Sequence, residues 1–227
     1  MTVAAVVTAA GLGTRLGFSR PKALVEVAGR PLVAHALDRV LHLASVAVVT
    51  AVPTEIPAFE AAVEGRADVV AGGDTRQDSV WAGLSALTAQ GITPDDIVLV
   101  HDAARAFMPT AAMREAVAAV EAGADAAVPV VAVVDTLVTA PGEDGAYGTG
   151  VDRDGLRAVQ TPQVFRVSAL AAAHEAALGS DATDDATLVR ELGLRVVATE
   201  GHPWGLKVTH AGDLALAAFI AENSRGS

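Results

Sequence analysis

Residues 3–22 read VAAVVTAAGLGTRLGFSRPK. A run of small and β-branched residues, long enough for a buried strand, passes into a turn with glycines at positions 11, 13 and 17, followed by Lys22; Arg15 lies within the turn. Glycine lets backbone N–H groups come close to a phosphate, and a following helical turn adds the attraction of its positive end. The stretch therefore predicts a first strand over 3–8 and a phosphate cradle directly after it.

Outward from that stretch, apolar runs of strand length alternate with longer Ala/Leu-rich runs of helical period. Strands are predicted over 3–8, 46–50, 67–71, 97–100, 126–131 and 195–199, and helices over 32–43, 76–89, 110–122 and 168–178. Residues 208–222 read as a short strand and a closing helix. This alternation implies βαβ units and an α/β domain of Rossmann-like type with a mostly parallel central sheet, one domain over 1–227. Residues 134–159 break the rhythm, because two β-like stretches flank the turn-rich PGEDGAYGTG. They predict a projecting β-hairpin arm, although a surface loop fits the composition equally well. Hairpin edges are usually covered, often by a second subunit, which makes the inserted β-arm a candidate dimerisation element.

Composition narrows the function. Hydrophobic residues make up 52% of the chain but aromatics only 4%, so the apolar content is that of a core of small side chains. No apolar run approaches the roughly 18 residues that cross a bilayer. MTVAAVVTAAGLG lacks the basic start of a signal peptide, and a cytoplasmic location is expected, with no membrane partner. A net charge of −11 argues against nucleic acid as a partner. The absence of cysteine excludes thiolate metal sites and cysteine nucleophiles.

The glycine-rich turn alone admits several readings. A P-loop would need G-x-x-x-x-G-K-[ST], which Pro21-Lys22-Ala23 does not supply. A dinucleotide site wants an acidic residue after the second strand, where the chain has Thr50-Ala51-Val52-Pro53. Arg15 and Lys22 instead suit a triphosphate whose α-phosphate gathers negative charge in a transfer reaction. A tight turn with solvated cations also fits. The basic residues divide into fourteen arginines and two lysines, Lys22 and Lys207, and both lysines flank candidate site segments.

Two further clusters stand at predicted strand ends, the edge where open α/β sheets bind ligands. Gly72-Gly73-Asp74-Thr75-Arg76-Gln77-Asp78-Ser79 opens a helix, where Asp74 or Thr75 can also act as a cap. His101-Asp102-Ala103-Ala104-Arg105 puts a carboxylate and a guanidinium at the rim. Asp102 is a candidate oxygen ligand for Mg²⁺ beside a phosphate chain, with an internal Asp102–Arg105 ion pair as the alternative. His101 reads as a packing residue. Asp152-Arg153-Asp154-Gly155 and Thr161-Pro162-Gln163 read as turn chemistry at the root of the arm. Asp184-Asp185 reads as a helix N-terminus.

In the order AAGLGTRLGFSRPK, GGDTRQDSV, VHDAAR, Asp135-Thr136, DRDGLRAVQTPQVF, TDDATLV and LKVT, the chain resembles the 2-C-methyl-D-erythritol 4-phosphate cytidylyltransferases over nearly its whole length. The first segment marks the wider nucleotidyltransferase superfamily; VHDAAR with TPQ-F and TDDA is more specific. The resemblance implies a nucleotidyltransferase domain that joins CTP to a small phosphorylated polyol, with Mg²⁺ or another divalent cation required. It implies that Arg15 and Lys22 stabilise the transition state and that Arg153 and Lys207 position the acceptor phosphate. The residues alone single out Arg15, Lys22 and Lys207; Arg153 comes from the family. By the same resemblance Ala9, Ala10, Gly11, Gly13, Gly72, Gly73, Asp74 and Ser79 recognise the cytidine. Asp102, Arg105 and Thr136 lie near the ribose, metal and acceptor. The family is a homodimer whose arm completes the neighbouring site, so Thr136 and Arg153 would act in trans. The chain departs from the commoner family pattern at Ala23, at Gly205 and at 210–212. A relative that uses ribitol 5-phosphate, a non-catalytic nucleotide-binding module and an NAD-binding oxidoreductase remain the alternatives.

Overall fold

The structure is a computed structural model that describes residues 1–11, 20–177 and 184–223. Along the chain run β1 (Val3–Thr8), β2 (Glu26–Val27), β3 (Arg30–Pro31), α1 (Leu32–Leu41), β4 (Val46–Ala51), α2 (Ile56–Val63), β5 (Asp68–Ala71), α3 (Arg76–Ala89) and β6 (Ile97–Asp102). The second half contributes α4 (Thr110–Glu121), β7 (Ala126–Ala132), β8 (Leu137–Val138), β9 (Gly150–Val151), β10 (Arg157–Val159), β11 (Gln163–Arg166), α5 (Val167–Ala176), α6 (Asp185–Glu191), β12 (Val196–Glu200) and α7 (Ala211–Asn223).

The main sheet runs β10-β7-β11-β6-β1-β4-β5, with β12 also on β7. The pairs β1–β4, β1–β6, β4–β5 and β12–β7 are parallel, as the alternating pattern predicts. Side chains alternate across β1: Ala5 and Val7 join the core with α1, α2, α4 and α7, while Ala4 and Val6 join the core with α3, α5 and α6. Helices thus cover both faces, which is why the central strands are apolar without interruption.

The expected strands and helices form within a residue or two of their predicted ends, and four segments differ. Thr161-Pro162-Gln163 reads as turn chemistry, yet Gln163 opens β11, which inserts antiparallel between β6 and β7. Phe165, fully buried, contributes about 2–3 kcal/mol by burial alone, enough to pin so short a strand. The predicted strand at 208 does not form: the Val208 N–H donates to the Ala104 carbonyl at 2.9 Å, and its buried side chain packs without joining the sheet. The predicted arm is narrower than 134–159, because β8 and β9 form their own two-stranded ribbon while β10 belongs to the main sheet. The helix α2 has no counterpart in the predicted pattern; Pro57 falls in its first turn, where the missing N–H costs nothing.

Asp96 fastens the start of β6. Its Oδ1 accepts the Thr2 N–H at 2.6 Å, and Oδ2 accepts the Thr93 N–H and hydroxyl at 2.9 and 2.8 Å. These donors, the Thr2 and Thr93 N–H groups first, hold its pKa down to about 2. A depressed carboxyl stabilises the fold above its unfolded value of about 4, and that contribution fades as pH falls toward the folded value. Asp96→Asn should therefore lower the urea midpoint at pH 7, with the gap from wild type closing between about pH 4 and about pH 2. A gap independent of pH across that window would show that the carboxylate charge is not what stabilises.

Candidate functional site

The C-terminal ends of β1, β4, β5 and β6 open on one cleft of about 660 Å³. Neighbouring strands run parallel here, so their ends fall at one level, and the residues that follow each strand become the walls. The floor and one wall are Thr8, Ala9, Ala10 and Gly11 after β1, with Val52 and Pro53 after β4. Gly73, Asp74, Thr75, Arg76 and Ser79 form the second wall, and Asp102, Ala103 and Ala104 the third. Lys22, Ala23, Lys207 and Thr209 complete the lining.

Close packing explains the glycines of the second wall. A Cβ on Gly72 would stand 2.7 Å from the Ala10 Cβ, and one on Gly73 would stand 2.2 Å from the Asp78 Cβ. Gly72 thus lies behind the lining and lets the 9–10 and 72–73 segments touch. Ser79 is buried; its hydroxyl accepts the Gly73 N–H at 3.2 Å and donates to the Thr75 carbonyl at 3.0 Å. The helix cap is Thr75, which accepts the Asp78 N–H at 3.0 Å while the Asp78 carboxylate accepts the Thr75 N–H. Asp74 is therefore left to the cleft.

Asp102 is the electrostatic centre. Its carboxylate pairs with Lys207 at 2.7 Å and with Arg76 at 3.4 Å, and accepts the Thr8 hydroxyl at 3.2 Å. Burial alone would raise its pKa, but Arg76 and Lys207 outweigh it and hold the group well below the usual carboxylate range. Next to it, His101 is fully buried with Nδ1 3.1 Å from the Thr161 hydroxyl, and burial pushes its pKa down to about 4. A neutral packing residue is what the sequence suggests.

The alternative reading, an internal Asp102–Arg105 ion pair, is not what forms: Asp102 pairs with Arg76 and Lys207. Arg105 leaves the lining and donates to the carbonyls of Gly205 at 2.7 Å and Val159 at 2.9 Å, tying β10 to the segment that carries Lys207. A Cβ at Gly205 would lie 2.4 Å from the Met108 Cε, so a larger residue there requires the end of that side chain to move. Ala23 is buried beside Lys22 in a short 3-10 turn, Lys22–Leu24.

Lys22, Lys207, Ala9, Ala10, Gly11, Gly73, Asp74, Ser79 and Asp102 are thus brought to one cleft. Thr136 and Arg153 are exposed on and beside the β8–β9 ribbon, away from the lining, with the Arg153 guanidinium on the Val134 carbonyl. Gly13 and Arg15 lie outside the described residues. Sequence reasoning passes over Arg76 and Asp185. Arg76 pairs with Asp185 at 2.5 Å, and Asp185 accepts from His174 Nε2 at 2.9 Å, with both of those side chains buried. The signal available is a cation at the first position of α3, where the helix dipole disfavours one.

Among the described residues no group of three or more His, Asp or Glu could hold a metal ion on its own. An ionised Asp102 lining the cleft still fits Mg²⁺, which commonly takes one or two carboxylates with substrate phosphates. Among the described residues no helix is long and apolar enough to cross a membrane.

Residues 3–223 match the family model described as 2-C-methyl-D-erythritol 4-phosphate cytidylyltransferase. The enzyme of that name from Saccharopolyspora erythraea is 48% identical over 97% of this chain and 99% of its own, and that from Rhodococcus jostii is 43% identical over 97% and 95%. The crystal structure of the Thermus thermophilus 2-C-methyl-D-erythritol 4-phosphate cytidylyltransferase superposes with a TM-score of 0.80 at 37% identity, covering 98% of this chain and 100% of that one.

Proposed function

We infer the reaction from one premise: this chain belongs to the 2-C-methyl-D-erythritol 4-phosphate cytidylyltransferase family. It transfers CMP from CTP to 2-C-methyl-D-erythritol 4-phosphate, giving 4-diphosphocytidyl-2-C-methyl-D-erythritol and pyrophosphate, a step of isoprenoid precursor synthesis. The observation that carries this is the family match from residue 3 to 223, supported by a cleft that gathers Lys22, Lys207 and Asp102 at the ends of parallel strands.

An oxygen of the acceptor phosphate attacks the α-phosphorus of CTP, and the bond from that phosphorus to the β-phosphate bridge breaks, so pyrophosphate carries away the electron pair. No bond to the protein is formed. The chain's work is placement and charge. Lys22 and Lys207 offer point charges to phosphate oxygens, the role for which a compact ammonium suits. Ala9, Ala10, Gly11, Gly73, Asp74 and Ser79 frame a pocket for a pyrimidine and its ribose. Asp102 would hold Mg²⁺, which supplies neutralisation of the triphosphate. Pyrophosphate release from CTP with methylerythritol phosphate, run beside ribitol 5-phosphate and beside ATP, GTP and UTP, tests the assignment. Preference for ribitol phosphate would keep the chemistry and change the pathway, and silence with every pair would sink it.

The reading extends to a homodimer in the cytoplasm. Charged phosphorylated substrates do not cross a bilayer unaided, which favours the compartment where they are made. The dimer is supported by apolar residues exposed around the ribbon, among them Val134 at 78% and Tyr147 at 84%. With Thr136 and Arg153 acting across the interface, Arg153→Gln and Lys22→Ala subunits, each inactive alone, should regain roughly a quarter of wild-type activity when mixed and reassorted, because half the dimers then hold one intact site. No recovery in a mixture that sediments as a dimer would place Arg153 in its own subunit's site.

A further inference from the structure

Arg76 occupies a position that its helix does not favour. It is the first residue of α3, where a cation meets the positive end of the helix dipole, and two carboxylates from other elements hold it there. Its Nη1 meets Asp185 Oδ2 at 2.5 Å, and its Nε meets Asp102 Oδ1 at 3.4 Å. Asp185 is 1% exposed and begins α6; its second oxygen faces His174 Nε2 at 2.9 Å. Trp81, farther along α3, stacks on that imidazole with ring centres 5.9 Å apart. The buried end of this chain is therefore rigid, while the end at Asp102 is the longer and weaker contact.

We propose that Asp185 is a positioning residue for the transfer: by holding the Arg76 guanidinium against the buried His174 side, it limits Arg76 to one oxygen of Asp102 and leaves the other to Lys207. This rests on the reading of the cleft as a cytidylyl transfer site. Without the Asp185 charge the guanidinium is free to turn onto Asp102, where a planar fork grips both carboxylate oxygens. Lys207 then loses its partner, and the carboxylate is no longer open to the triphosphate side. A lysine at 76 fails differently, since a point charge cannot bridge two carboxylates from separate nitrogens of one plane.

Three variants test it: Arg76→Lys, Asp185→Asn and the double. Each single change should lower kcat by roughly 10–100-fold, the cost of a displaced catalytic group, with CTP affinity by calorimetry held to within about 3-fold. In the Arg76→Lys background, Asp185→Asn should add less than about 2-fold, because both act through the same contact. Lysine-selective ¹³Cε NMR needs no turnover. Two lysines give two resonances, and Asp185→Asn should shift that of Lys207 while that of Lys22 stays. A wild-type kcat for Arg76→Lys, independent multiplicative losses in the double, or an unmoved Lys207 resonance would each overturn the proposal. Where Asp185→Asn does not fold, Arg76→Lys decides alone, with the same expectation. An inactive wild type with a shifted Lys207 resonance would instead count against the assigned reaction while upholding the contact.

Discussion

Asp102→Asn should reduce kcat by roughly 10²–10³-fold, a loss of the size seen when one preorganised electrostatic group is removed, while the protein stays folded. Asparagine keeps the shape and removes the charge that three groups share. Lys207 at 2.7 Å and Arg76 at 3.4 Å then face a neutral amide, and the two cations repel each other without an anion between them. Lys207 loses the contact that aims it, and the cleft loses its candidate oxygen ligand for a divalent cation. Stability suffers less, because Arg76 retains Asp185 and the Lys207 side chain is 42% exposed, so water takes up much of its charge. Steady-state kinetics beside a thermal melt separates the two effects. A kcat within about 3-fold of wild type would remove Asp102 from the mechanism.

Lys22→Ala carries the second large effect, on the order of 10²–10³-fold in kcat with CTP binding weakened less than about 10-fold. The asymmetry follows from position. Lys22 begins a 3-10 turn whose next residues, Ala23 and Leu24, are buried, so its stem leaves a fixed wall and its amine serves charge that develops during transfer more than charge already present. Lys22→Arg should not restore the rate, since a fork of five donors is not a point charge. Equal, small changes in turnover and in CTP affinity would remove the catalytic role.

How much of this is legible in the sequence depends on the distance over which each contact acts. The cleft is readable because its parts follow strands: Gly11 after β1, Gly72 and Gly73 after β5, Asp102 at the end of β6. Parallel strands bring those ends together whatever the residues between them. The link from Arg76 to Asp185 spans 109 residues and has no local periodicity, so Asp184-Asp185 gives away only its cap, which Asp184 supplies by accepting the Thr187 N–H at 2.7 Å. Arg105 eludes a local reading for the same reason. Its nearest acid in sequence is Asp102, but the carbonyls of Gly205 and Val159 lie in better line with its fork. β11 escapes because QVFR is four residues long, and a short apolar run shows no period by which strand can be told from turn.

The place of β11 has a bearing on the order in which the molecule can be completed. β1, β4, β5 and β6 are all made from the first 102 residues and can pair as soon as they leave the ribosome. β6 then presents an open edge, and that edge is closed only by residues 163–166. Between the two events some sixty residues must be synthesised, at about 5–20 per second, so the nascent chain carries an unprotected apolar strand for several seconds. A chain halted within the arm would keep that edge permanently, as a template for pairing with its own kind.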